Sequence, residues 1–389
     1  MTQFKRNAKS QPKHGPPPNS GASRAPAAPP VRLPGWTGPS YIRKVPKRQP
    51  AAVKKTTEEI QSLPIQQQQL ILDTIRTTFP AVNEFHTLKP VLKDVREALE
   101  EKDYDKAFGS EEFLEAYTIR WSPSRALGVA NVLAWVCSEM SETAWLQRFL
   151  QNGGQNSSKI TCLGRGGSDF LACAALLKHI HQSTFGTPES DGNAVVDLNL
   201  IDSHDWSVIV SKLQHTLTHP PPLSKYATAK AHATNVSAIP PHALSLAIKN
   251  VDILDSETDL ATMIGPDPAL ITLFFTLHEL YSTSISKTTA FLLRLTAAAP
   301  KGSLLLIVDT PGADAALPGQ EKRYPVEWLL YRALLPPKTS TDPDEEEEAP
   351  AWAKLIESGH EKEYKLPAGL KYPGSLENTR LQVHLLERL

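Results

Sequence analysis

Three glycines fall within four positions at Gly164, Gly166 and Gly167, and Ser168 and Asp169 follow at once. Glycine tolerates positive φ and lets a ligand lie against bare main chain. Ser and Asp at the close of such a turn favour the start of a helix. The chemistry this spacing suits is the holding of a nucleoside against backbone. It is not a full G-x-G-x-x-G, because Asp169 stands where the third glycine would fall. Nor is it G-x-x-x-x-G-K-[ST], so a phosphate-cradling loop is disfavoured.

Acidic and polar residues close three later apolar runs. Asp202 and Ser203 follow residues 195–201, Asp252 and Ile253 follow 244–251, and Leu277, His278 and Glu279 follow 269–275. An acid at the end of a second strand is placed to grip a ribose. Asp252 suits either an adenine amino group, with the Ile253 main chain as second partner, or a simple turn. Glu279 suits proton abstraction or orientation of a weakly acidic nucleophile, with His278 beside it, or else the pairing of a local arginine. Asp309, before Thr310-Pro311-Gly312, reads as a turn-former. Gly164, Gly166, Gly167 and Asp202 together imply an adenosine-bearing cofactor held without a pyrophosphate cradle. S-adenosylmethionine fits that better than a dinucleotide, and the main chain at Gly166 is expected to lie against it.

Two further places could meet a substrate. Residues 120–125 gather Arg120, Trp121, Ser122, Pro123, Ser124 and Arg125. Such a turn could hold a phosphate or carboxylate, or it is a helix junction with the arginines in water. Tyr324, beside Pro325, could stack on a base or simply pack.

The elements that must position these groups follow from periodicity. Residues 159–163 read as a strand and 170–180 as a helix. Further strands are expected at 195–201, 244–251, 269–277, 302–308 and 380–386, and helices at 286–298 and 324–335. Glu58 and Glu59 read as the first turn of a short helix. Helices are also expected at 66–79, 91–102, 110–119 and 126–139. Continuous apolar runs alternating with helices argue for an α/β fold, a mainly parallel twisted sheet with helices on both faces. Residues 57–150 form a helical N-terminal cap and 151–389 the α/β body, with an acidic disordered loop at 338–350.

Charge is divided unevenly along the chain. The first 57 residues hold twelve Lys or Arg and no Asp or Glu, leaving 29 basic against 42 acidic residues beyond them. Residues 1–56 are rich in Pro, Gly and Ser and are expected to be a disordered basic tail. Such a tail is attracted to polyanions, and Lys44-Val45-Pro46-Lys47-Arg48 resembles a nuclear import signal. Cys137, Cys162 and Cys173 lack metal-ligand spacing, so no metal is expected and the thiols read as buried and reduced. No run of about 18 apolar residues occurs, so no membrane span is expected.

Five separated stretches carry a resemblance. They are residues 116–127, with Arg120, Trp121 and Arg125; 275–280, with His278 and Glu279; 301–312, with Asp309; 324–330, with Tyr324; and 370–380. Together they resemble the fungal 25S-type ribosomal RNA uridine-N3 methyltransferases. The resemblance implies a Rossmann-like class I fold using S-adenosyl-L-methionine. It also implies a large-subunit rRNA or pre-ribosomal partner and work in the nucleolus. The competing readings are a non-catalytic ribosome-assembly factor on the same fold, and a methyltransferase of another substrate.

Overall fold

The computed structural model describes residues 58–60, 62–140, 147, 158–164, 166–184, 196–316, 322–335, 350–356 and 361–389. The expected basic tail, the linker at 151–157, Arg165 and the acidic loop up to residue 349 lie outside the described residues.

Before the sheet come β1 (Glu58–Glu59), α1 (Ile65–Thr78), α2 (Lys89–Glu100), α3 (Tyr104–Ala107), α4 (Glu111–Arg120) and α5 (Ser122–Glu139). The alternating body follows with β2 (Ser158–Leu163), α6 (Gly166–Thr184), β3 (Val196–Asp202), α7 (Ser207–Thr218) and α8 (Ala229–Ala233). Then come β4 (Leu244–Asn250), α9 (Leu260–Ile264), β5 (Leu270–Phe274), α10 (Leu277–Thr283), α11 (Ile285–Ala298) and β6 (Leu304–Asp309). The chain closes through β7 (Asp314–Ala316), β8 (Arg323–Pro325), α12 (Val326–Leu334), β9 (Trp352–Lys354), β10 (Glu361–Tyr364) and β11 (Thr379–Arg388).

The main sheet runs β1-β10-β11-β6-β5-β2-β3-β4, with β9 also on β11. Strands β4, β3, β2, β5 and β6 are parallel neighbours, and β11 lies antiparallel to β6. This is the mainly parallel, Rossmann-like sheet expected. Period-two alternation sends successive residues to opposite faces. Leu304, Leu306 and Val308 of β6 thus enter one core, and Leu305 and Ile307 enter the other. Each such leucine stabilises the fold by about 2 kcal/mol.

The N-terminal helices share one core with α6, α7 and one face of this sheet. Helix α5 is buried on nearly every side and packs against α6, as a helix apolar all round must. Its Asn131 side chain accepts from the Ser62 and Leu63 N–H groups at 3.0 and 2.9 Å and donates to the Leu127 carbonyl. That polar clasp pins the entering chain to the helix core. Glu58 and Glu59 form a strand rather than a helical turn, pairing in parallel with Lys362 and Glu363. The Lys362 ammonium, buried against the Trp135 ring at 4.2 Å, pairs with Glu58. That long-range ion pair competes with any local helix.

Helix α10 begins at Leu277, where a strand end is expected. Phe275 takes φ 55 and turns the chain out of the sheet. His278 and Glu279 therefore sit in the first turn of a helix. Tyr324 lies in strand β8, and helix α12 starts only after Pro325.

Candidate active site

The parallel order β4-β3-β2-β5-β6 reverses its winding between β2 and β5. A sheet of this kind opens a crevice at the carboxyl ends of those two strands. Gly164 stands at that point with φ 131, and its N–H donates to the Ile201 carbonyl at 2.9 Å. A Cβ there would fall far inside van der Waals contact with Thr276 Oγ1. Bare main chain is thus required where two strand ends diverge.

Gly166 and Gly167 have a different task. A Cβ on Gly166 would meet Trp206 Cβ at 3.0 Å, and one on Gly167 would meet Thr118 Oγ1 and the Trp206 ring at 3.5 Å. Both belong to the first turn of α6 and let it close against the buried Trp206. Neither is among the residues that line the cavity in this crevice, and Gly166, expected to bed the cofactor on its main chain, lies against Trp206. Asp169, on the same turn, is fully buried. Burial pushes its carboxyl well above the usual carboxylate range, and one oxygen has no partner among the described residues.

The crevice holds a cavity of about 420 Å³ lined by Gly164, Asp202, Ser203, Asp252, Ile253 and Thr276, among others. Asp202 accepts from the His204 N–H at 2.8 Å, and Asp252 accepts from the Leu254 N–H at 2.8 Å. Each carboxylate thereby fixes its own strand-end loop and stands at the rim. Ser203 Oγ lies 3.1 Å from His204 Nδ1. Leu277 is buried in the core of the opposite face and does not line the cavity; helix formation at that residue turns its side chain away.

Helices α2 to α5 close a second cavity of about 410 Å³ against the same sheet edge. Its walls include Tyr104, Tyr117, Trp121, Arg125, His278 and Glu279. Tyr117 and Trp121 stack with centroids 5.4 Å apart. Arg125 donates to the Tyr117 hydroxyl, and its guanidinium lies 5.1 Å from the Phe275 ring centre. Aromatic faces with a fixed cation are what a flat, polar-edged ring needs. Lys102, Tyr104 and Glu279 line both cavities, so the two join there.

Glu279 has a supporting row behind it. Asp309, buried at the end of β6, accepts from the His278 N–H at 2.9 Å and pairs with His278 Nδ1 at 2.5 Å. It also accepts from the Thr310 N–H at 2.7 Å. His278 Nε2 faces Glu279 Oε1 at 3.7 Å. Asp309 is therefore more than a turn-former: it holds the first turn of α10 and orients the imidazole.

Two expected substrate contacts lie elsewhere. Arg120 pairs with Glu377 at 2.5 Å and lies over the Trp121 ring, outside both linings. Tyr324 stacks on Trp328 at 5.7 Å and carries Lys322 over its face. Arg120 thus sits at a helix junction in an ion pair and not in water, as the junction reading had it, and Tyr324 packs on Trp328. Lys102, Tyr104, Phe108 and Thr276 are cavity residues that sequence reasoning missed. The Tyr104 and Phe108 spacing of four was a usable signal for one helix face; Lys102 offered none.

Strand order, bare glycine turn and acidic strand ends together define a Rossmann-like methyltransferase. The chain belongs to a family of S-adenosylmethionine-dependent methyltransferases: the profile described as "Putative SAM-dependent methyltransferase" matches residues 75–387. It is similar to the 25S rRNA (uridine(2843)-N(3))-methyltransferase of Saccharomyces cerevisiae, 28% identical over 333 residues, covering 80% of this chain and 83% of that one. Among solved structures it resembles a SAM-dependent methyltransferase from Methanosarcina mazei, with 10% identity, 62% of this chain and 96% of that chain covered, and a TM-score of 0.31. The N-methyltransferase NodS from Bradyrhizobium japonicum matches with 10% identity, 65% and 96% coverage and a TM-score of 0.28. Scores this low bear no weight, and the fold rests on the strand order. Among the described residues no helix is long and apolar enough to cross a membrane.

Proposed function

We propose that this enzyme methylates N3 of a uridine in large-subunit ribosomal RNA. The observation that carries the reading is Glu279, which stands between a nucleoside-sized cavity on the sheet edge and an aromatic-walled cavity under the helical cap. The residues of the first cavity fit S-adenosylmethionine. Gly164 presents bare main chain to the cavity, since a Cβ there would strike Thr276, Asp202 and Ser203 suit the ribose, and Asp252 with Ile253 suits the adenine edge. When bound there, the cofactor supplies an electrophilic methyl group, whose C–S bond breaks with its electron pair left on sulfur.

The second cavity suits a base taken out of its stack, which this chemistry requires. Tyr104, Tyr117 and Trp121 offer faces for it, and Arg125 offers donors to a carbonyl. Uracil N3 carries a proton and is a poor nucleophile until that proton leaves. Glu279 is placed to accept it, with His278 and Asp309 fixing the helix turn that presents it. The name of the yeast relative supports this choice of atom and substrate. The basic N-terminal segment adds sequence-independent RNA affinity, and the protein works in the nucleolus during ribosome assembly.

Mass spectrometry of nucleosides from large-subunit rRNA, in cells with and without the protein, tests the reading. Loss of one N3-methyluridine on deletion is expected; an unchanged nucleoside profile overturns it. Calorimetry with S-adenosylmethionine separates the enzyme from a non-catalytic assembly factor, since the latter has no need to bind cofactor.

A further inference from the structure

We infer that Lys102 is a catalytic residue whose ammonium stabilises the negative charge that develops on the uracil ring. The inference rests on the uridine-N3 reading above and assigns a group that the reading does not use.

Three observations converge on it. Lys102 is one of three residues that line both cavities, with Tyr104 and Glu279. It therefore stands at the junction through which the methyl group must pass. Its ammonium makes no ion pair or hydrogen bond with any described residue. Arg125, the other cation in the second cavity, is engaged by the Tyr117 hydroxyl and covered by the Phe275 ring.

The third observation is in the backbone. Lys102 has φ 60, and among the described residues only Phe275 is another non-glycine with positive φ. Its N–H donates to the Leu99 carbonyl at 3.2 Å, and the Asp103 N–H donates to the Ala98 carbonyl at 2.9 Å. That paired pattern is a helix terminus at which glycine is the favoured residue. A lysine in the left-handed region is strained. A strained residue held against a cavity points to a task for its side chain.

The task follows from charge. When Glu279 takes the N3 proton, the N–H bond breaks and its electron pair stays on nitrogen. One unit of negative charge thus moves from the carboxylate to the ring, where it spreads over N3 and the two carbonyl oxygens. A cation beside those oxygens favours the ionised base, and Lys102 is exposed and without a competing partner among the described residues.

Lys102→Gly removes the charge and relieves the backbone at once, so a folding defect is not a rival explanation. Its melting temperature is expected to equal or exceed that of the parent. Lys102→Arg keeps the charge. Purified full-length proteins are assayed in single turnover on an in vitro large-subunit rRNA transcript with S-adenosylmethionine, from neutral to alkaline pH. Lys102→Gly is expected to be about 10- to 100-fold slower at neutral pH. The gap closes as alkali ionises uridine unaided, and Lys102→Arg recovers most of the rate. S-adenosylhomocysteine affinity by calorimetry stays within about twofold of the parent, as a charge acting on the base requires. A Lys102→Gly rate equal to the parent, a deficit constant with pH, or a matching loss of S-adenosylhomocysteine affinity overturns the assignment alone. A parent enzyme that marks the transcript at an atom other than uridine N3 overturns the uridine reading as well.

Discussion

The two cavities share Lys102, Tyr104 and Glu279 yet are built differently. The sheet-edge cavity has a local part, which the 102–108 stretch of the cap completes. Gly164 and Asp252 sit just past a strand and Asp202 ends one, and the hydrogen bonds of the two acids close within two residues. The cap cavity is assembled from afar. Its Lys102, Tyr117 and Arg125 come from the N-terminal helices, and its His278 and Glu279 from the other side of the sheet. The strand-end part of the first cavity is thus set locally, and the second cavity depends on how α2 to α5 dock.

The hardest test is at Glu279, one of the three residues that line both cavities. Glu279→Gln keeps shape but cannot take a proton. A fall of about 10²- to 10⁴-fold in the methylation rate is expected, with cofactor affinity by calorimetry unchanged. Full turnover in the variant would leave the two cavities without a common centre. The next largest effect separates the glycines. Gly164→Ala forces a Cβ onto Thr276 at a φ of 131 and is expected to weaken S-adenosylhomocysteine binding by about tenfold or more, the cost of strain at such a position. Gly167→Ala places its Cβ at an ordinary 3.5 Å. It should leave affinity intact and shift stability by less than about 1 kcal/mol. Equal effects at the two positions would return the cofactor bed to the helix turn.

Asp309→Ala probes the support behind Glu279. It leaves the His278 and Thr310 N–H groups without their shared acceptor, at a cost of about 1–3 kcal/mol in urea unfolding. The methylation rate should fall further than stability explains, because the imidazole loses its orientation. A variant that melts lower yet turns over normally would make Asp309 a brace only.

The same contrast explains what could be read from the chain. The apolar runs of β2, β3, β5 and β6 announce a covered parallel sheet, because burial on both faces leaves no polar alternation to hide them. Asp202, Asp252 and Gly164 are legible because a strand end determines them locally. Leu277 was not, since the helix there starts on the positive φ of Phe275 and no capping side chain announces it. Arg120 and Glu377 are 257 residues apart, and nothing near either one signals their pairing. Tyr324 was misleading because an aromatic residue before proline looks the same over a base as over Trp328. Lys102 depends on a backbone angle that favours glycine, and the residue found there is not glycine.

One residue spans both kinds of wall, and it gives the smallest and most discriminating test. His204 lies between Asp202 on the sheet edge and Asp105 on the cap, at 3.3 Å from each, with its ring against Phe108. Burial opposes its charge, but hydrogen bonds and attraction from Asp202 and Asp105 outweigh that and raise its pKa above the usual value. A raised pKa in the folded state means that stabilisation is complete below the unfolded value of about 6.5 and disappears as pH rises through the folded one. His204→Gln should therefore differ from the parent most in mildly acidic solution and converge with it in alkali. The Asp105 side chain is fully exposed, so solvent and salt screen that arm. The difference should stay under about 1 kcal/mol and shrink further at high ionic strength. Urea melts of both proteins at two pH values and two salt concentrations measure it. A pH-independent difference would mean that His204 joins the two walls by packing on Phe108 alone, and that the seam between sheet edge and cap carries no charge.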